Sequence, residues 1–283
     1  MMPSVLAVIE IGFDPLLRLG ELAIRWQTIG VTFALFVALA LAALLAALPL
    51  RLGDMVPIVA GIVPGAVVGG RLVHALAFLD AYAAQPLKIL DPSVGSLSLL
   101  GAVLGGLVTG AYVARLIGAP AKRWADAAAV PMMLVVGLGK IAQFLGGSGQ
   151  GLPFDGPWAV AFVGTGPWVS ANPGLSAHPS QIYEALWVLI GIPIVLLWAG
   201  RRRRPPRLNR WVAWVDRSAE EGRLFVGALS WFLFGRLLVG LTLRDDPTVG
   251  ALNSEQAIAL TVLGCLLIRS RLRPRREVLL PAP

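Results

Sequence analysis

The amino-acid sequence predicts an all-α polytopic membrane protein of about seven transmembrane helices, with the N-terminus outside, the C-terminus cytoplasmic and a small extracytoplasmic head between helices four and five. Three observations predict it. Of the 283 residues 57% are hydrophobic and only 14% charged, and mean hydropathy is +0.75, more apolar sequence than a soluble core of this length could hide. The apolar residues fall into runs near the ~20 residues that cross ~30 Å of hydrocarbon. Lys and Arg crowd alternate loops, as the positive-inside rule requires of a multi-pass chain.

In order, residues 1–28 carry Glu10, Asp14 and Glu21 ahead of the first long apolar run and lack the basic flank of a cleavable signal. They are expected as an interfacial segment on the outer face. Spans are expected at Ile29–Leu50, Val56–Leu79, Val94–Ile117, Ala125–Leu145, Ser180–Trp198, Leu224–Leu241 and Glu255–Ile268. Pro64-Gly65 interrupts the second and glycines the third and fourth, which membrane helices tolerate when neighbours satisfy the freed backbone. Loops after spans one, three, five and seven carry Arg51, then Arg115, Lys122 and Arg123, then the Arg201 to Arg223 block, then Arg269 to Arg276. The opposite loops hold only Lys88 and Arg244, with Arg18 and Arg25 before the first span. The chain is therefore expected as one integral-membrane domain, 1–283, ending in a basic cytoplasmic tail at 270–283. The net charge of +8 is loop charge beside helices and not a nucleic-acid groove. Glycines four apart (Gly61, Gly65, Gly69 and Gly101, Gly105) suit close helix packing or a groove for a lipid tail.

The most concentrated polar chemistry is His178-Pro179-Ser180-Gln181-Ile182-Tyr183-Glu184, at the mouth of the fifth span. No Lys or Arg occurs from Ile141 to Gly200, so this stretch is placed on the outer face. Four ionisable groups lie in or at the ends of spans: Arg71, Lys140, Glu184 and Arg236. Each must be paired or face a wet cavity. Three cations against one anion leave surplus positive charge, which would attract an anionic ligand such as a lipid phosphate; equally, Glu184 and Arg236 could form a buried pair that only fixes packing. His178 could move a proton near neutral pH or merely hydrogen-bond at a helix start, and His74 reads as structural. The run Gly137 to Gly151 could expose backbone N–H groups to an anion, with Lys140 and Gln143 on one helix face beside it. Cys265 stands alone, so no internal disulfide is possible, and with two histidines and no acidic cluster neither a metal nor a cofactor is expected.

These pieces resemble the prolipoprotein diacylglyceryl transferase family over nearly the whole chain. Ile24-Arg25-Trp26-Gln27 is similar to the family's approach to its first span. Pro64-Gly65, Gly69-Gly70-Arg71-Leu72, Tyr82 and Pro86-Leu87 match its second span and following arm. Leu97 to Gly101 with Gly105-Gly106, Gly137 to Gly151, Pro157-Trp158, the His178 to Glu184 motif, Arg236, Arg244 to Pro247 and Ser254-Glu255-Gln256 continue the match in order. The resemblance implies transfer of the diacylglyceryl group of phosphatidylglycerol to the lipobox cysteine of a prolipoprotein signal peptide, in the bacterial inner membrane, forming a thioether and releasing glycerol phosphate. It implies His178, Tyr183, Arg236 and Glu184 as catalytic residues, and Lys140, Gln143, Arg71, Gly147, Gly151 and Gln181 as the lining of a lipid-phosphate site. The chain departs from the family at Gln27 (tyrosine), Leu100 (histidine), Lys140, Gln143, Gly146 and Ser148 (arginine, asparagine, asparagine and glutamate) and Gly240 (glutamate). A lipid-binding or transport-like protein on the same fold, or a transferase with another acceptor, are the alternative readings.

Overall fold

The structure, a computed structural model, describes residues 8–46, 50–83, 85–90, 97–170, 172–200 and 221–272. Most of the Arg201 to Arg223 block, the end of the basic tail and the first seven residues lie outside these. Among the described residues seven long helices carry the fold: α1 (Trp26–Ala46), α2 (Met55–Ala77), α3 (Leu99–Leu116), α4 (Ala121–Leu145), α5 (Ser180–Gly200), α6 (Arg223–Gly240) and α7 (Ser254–Leu272). The first six are long and apolar enough to cross a membrane. Although α7 has 19 residues, Glu255 in its first turn and Arg269 and Arg271 in its last leave it less apolar than the others, where seven spans were expected.

Large side chains on the outer faces, such as Phe33, Phe36, Leu44, Val56 and Leu72, are exposed, as lipid-facing positions are. The core lies where α3 to α7 converge on Leu100, Met133, Val136, Val188, Phe232, Leu233 and Ala259. Between α2 and α3 the glycine rows meet directly: a Cβ on Gly69 would stand 2.9 Å from the Gly105 Cα, and one on Gly101 2.8 Å from the Val73 Cβ. The rows are a packing seam, which small residues provide by letting backbones close in. Facing α5 and α6 are stapled by Trp187 and Trp231, stacked at 4.6 Å. Each indole N–H donates to the other residue's carbonyl, at 2.9 and 2.8 Å. No water reaches the hydrocarbon to satisfy an indole N–H, so this reciprocal pairing settles two donors at once.

The head forms at the end where α1, α5 and α7 begin. Strand β1 (Ile9–Ile11) lies parallel to β4 (Val160–Phe162), and β2 (Leu16–Leu19) pairs with β3 (Leu22–Arg25) as a hairpin. The Arg25 guanidinium donates to the Pro167 carbonyl at 2.8 Å. Residues 9–25 are thus built into the head, and not only a segment resting beside it. The loop between α4 and α5 must pair its backbone groups somewhere, and β1 supplies an edge. Gln150 ties the loop from inside, donating to the Leu175 and Pro173 carbonyls at 2.8 and 3.3 Å and accepting from Ser170 at 2.8 Å.

Candidate functional site between the head and the helix ends

Pro179 precedes α5 and its carbonyl accepts from the Ile182 and Tyr183 amides, so the motif begins a helix and its side chains fan outward about 100° apart. That fan divides the motif into three groups. Ser180 and Glu184, one turn apart, both face α6: Ser180 Oγ bonds the Thr242 hydroxyl at 2.8 Å and Glu184 receives Arg236. Gln181 turns to the loop after α4 and its Nε2 donates to the Ser148 carbonyl at 2.6 Å. Tyr183 turns toward the head, where its hydroxyl lies 3.1 Å from His178 Nδ1.

His178 and Tyr183 belong to an aromatic shelf. The imidazole stacks on Phe154 with centroids 4.0 Å apart, and Phe154 also packs on Trp158 at 5.4 Å. Half-buried among these rings, the imidazole is held below its ordinary value of 6.5 because burial disfavours the charged form. It is neutral at pH 7, with a phenol on one nitrogen, an arrangement able to accept or relay a proton.

Deeper in the bundle, Glu184 Oε2 takes Lys140 Nζ at 3.0 Å and Arg236 Nη1 at 2.7 Å. Arg236 Nη2 contacts Glu255 at the start of α7, and Ser98 Oγ, capping α3, donates to Glu255 Oε1 at 2.5 Å. Lys140, Glu184, Arg236, Glu255 and Ser98 therefore make one chain across α4, α5, α6, α7 and the start of α3. The expected excess of three cations over one anion is corrected here: Glu255, in the sequence a span boundary within Ser254-Glu255-Gln256, balances the second cation of the chain. Asp245 adds negative charge within electrostatic reach of Lys140 and His74. Within the chain Glu184 Oε1, Glu255 Oε2 and Arg236 Nε are buried without a hydrogen-bond partner, so capacity for further donors and one more acceptor remains at its centre.

The turn after α4 is held from within. Gly147 and Gly149 adopt positive φ of 71° and 74°, which favours glycine. The amides of Gly146, Gly147 and Ser148 bond back to α4 carbonyls, and the Gly151 amide donates to the His178 carbonyl at 2.9 Å. These four amides are spent internally. Arg244 closes the turn from the α6–α7 loop, its Nε donating to the Gly151 carbonyl at 2.5 Å. Gln143 lies half-buried in the last turn of α4 and Arg71 partly buried on α2, both bounding the same end of the bundle. Leu100 is fully buried in the apolar core. Among the described residues no three of His, Cys, Asp and Glu gather in one place. Sequence reasoning missed Glu255, Ser98, Phe154 and the Arg244 contact; Glu255 and Arg244 stood within the quoted motifs, but only tertiary packing shows which groups they meet.

This arrangement defines a polytopic membrane protein with a buried ionic chain beneath an aromatic shelf at one end of its bundle. The family model of prolipoprotein diacylglyceryl transferase matches residues 15–269. The chain is 34% identical over 206 residues to the phosphatidylglycerol–prolipoprotein diacylglyceryl transferase of Geobacter sulfurreducens, covering 70% of this chain and 75% of that one. It is 31% identical over 289 residues to the enzyme of the same name from Gluconacetobacter diazotrophicus, covering 95% of each. The chain belongs to the prolipoprotein diacylglyceryl transferase family.

Proposed function

We propose that the protein, acting as a single integral domain of the bacterial inner membrane, transfers the diacylglyceryl group of phosphatidylglycerol to the lipobox cysteine of a prolipoprotein. What carries this reading is a family match spanning residues 15–269 in a chain with a proton-handling pair and a buried guanidinium at the same end. The cysteine sulfur attacks the glycerol carbon that bears the phosphate ester. The C–S bond forms as the C–O bond breaks, the thiol proton passes to His178 or through Tyr183, and glycerol phosphate leaves with the electron pair. Charge growing on that phosphate is met by Arg236 through its remaining Nε–H, with Lys140 and Arg71 lending positive potential, since such charge is best met by donors already in place. Glu184 orients Arg236 and Lys140. Gly147 and Gly151 shape the turn, Gln181 holds it, and Gln143 lines it.

The test is transfer of labelled diacylglyceryl from phosphatidylglycerol vesicles to a lipobox peptide by the purified, folded protein. A thioether product is expected. Bound phospholipid without turnover would replace the reading with that of a lipid-binding protein.

A further inference from the structure

We propose that Glu255 is a positioning residue for Arg236, presenting its guanidinium to the leaving phosphate from outside the helix that bears it. This inference rests on the transferase reading above. A guanidinium held by one carboxylate can rotate about that contact, whereas a second carboxylate against another of its nitrogens restricts that rotation: Glu184 bonds Nη1 and the Glu255 carboxylate lies against Nη2, and Nε is the guanidinium nitrogen buried without a hydrogen-bond partner. Glu255 is itself held: Ser98 binds its other oxygen, and its place in the first turn of α7 puts the carboxylate at the positive end of that helix.

The local packing explains why the second carboxylate comes from α7. A carboxylate for Arg236 within α6 would stand one turn on, at position 240, where this chain has glycine. The space is filled by Gln256: a Cβ on Gly240 would lie 2.7–2.8 Å from the Gln256 side chain. That glutamine is fixed by a reciprocal cap, accepting from the Asn253 amide at 3.1 Å while Asn253 Oδ1 accepts from the Gln256 amide at 2.8 Å, and its Nε2 donates to the Leu237 carbonyl at 3.0 Å. Seating Gln256 against Gly240 brings its neighbour Glu255 to Arg236. The bare backbone at 240 and the carboxylate at 255 are linked through the packing of Gln256.

The two roles open to Glu255 predict opposite behaviour. If it only balanced charge or held helices together, Glu255→Gln would leave turnover of the bound lipid intact or weaken lipid binding and folding together. As a positioning residue its loss lowers kcat by about tenfold to a hundredfold, the scale of a small misplacement of a catalytic group. Phosphatidylglycerol binding is not weakened, because the chain gains one uncompensated positive charge. The experiment measures kcat, the KM for a lipobox peptide, phosphatidylglycerol binding and the melting midpoint for wild type, Glu255→Gln, Arg236→Lys and the double variant in phosphatidylglycerol vesicles. Arg236→Lys keeps the charge and the fold but loses the fork. The expected result is a kcat loss in Glu255→Gln at unchanged peptide KM and undiminished lipid binding, with the double variant no slower than Arg236→Lys. Full activity of Glu255→Gln, additive losses in the double variant, or parallel losses of turnover, lipid binding and melting would each overturn the inference. A wild type that transfers nothing removes the transferase reading and this inference with it; an active wild type beside an active Glu255→Gln removes the inference alone.

Discussion

In the proposed reaction His178 is the residue on which proton handling turns, and its surroundings set the direction of its pH dependence. Burial against Phe154 holds the imidazole below 6.5, so the neutral form persists through neutral pH and protonation occurs only on the acid side. If His178 takes the thiol proton, kcat/KM stays flat around pH 7 and falls as pH drops through a value below 6.5, because the protonated ring can no longer accept. His178→Ala should remove that acid limb and lower the rate by about 10²–10⁴-fold, the range for loss of a general base. Tyr183→Phe, which deletes only the hydroxyl at 3.1 Å, should cost less and shift the limb. Leu100 shows the opposite case. A histidine placed there would enter the fully buried apolar core with its polar nitrogens unpaired, so Leu100→His should lower the melting midpoint, by a cost of about 1–3 kcal/mol, without raising activity.

Among the helices and turns, the departures from the family pattern cluster in contact with one another. Ser148 Oγ donates to Gln27 Oε1 at 3.2 Å, and a Cβ on Gly146 would stand 2.9 Å from the Gln27 Cβ. Gln27, Gly146 and Ser148 are thus one packed exchange between the first turn of α1 and the turn after α4, while Gly240 packs against Gln256 of α7, a residue that matches the family pattern. Side chains in direct contact do not act additively. Gly146→Asn alone is therefore expected to impair folding and transfer, while the pair Gly146→Asn with Gln27→Ala recovers part of both, measured as melting midpoint and rate; equal damage in the single and double variants would show the two positions to be independent. The helices themselves were legible because apolar runs of membrane length announce them, with errors only of a few residues at the ends: α1 begins at Trp26 and not Ile29, since Gln27 and Thr28 are polar yet helical, and α3 begins at Leu99 because Ser98 caps it. Strands of three or four residues carry no comparable signal. The pairing of β1 with β4 joins segments roughly 150 residues apart, and nothing local in either announces the other. The motif's chemistry was visible in residue type, but its division among Ser180 and Glu184, Gln181, and Tyr183 depends on what each face of α5 meets.

For the whole molecule, the ends of the bundle differ in charge and architecture. The head, the aromatic shelf and the first turns of α5 and α7 lie at one end; Arg51, Arg115, Lys122 and Arg123 lie at the other, with the Arg123–Glu221 ion pair at 2.8 Å joining the start of α4 to the approach to α6. Basic loops are as a rule retained on the cytoplasmic side, so the head is expected outside, where the proposed reaction requires the acceptor. The lone cysteine makes this directly measurable. In a Cys265→Ser background, Gly174→Cys introduces a thiol on the exposed head, where a new Cβ meets nothing within 4 Å, and Lys122→Cys introduces one at the opposite end. An impermeant maleimide added to intact cells should label the first and spare the second until the membrane is permeabilised. The reverse pattern would place the shelf and the ionic chain in the cytoplasm, on the wrong side for an exported acceptor, and would remove the prolipoprotein from the proposed reaction.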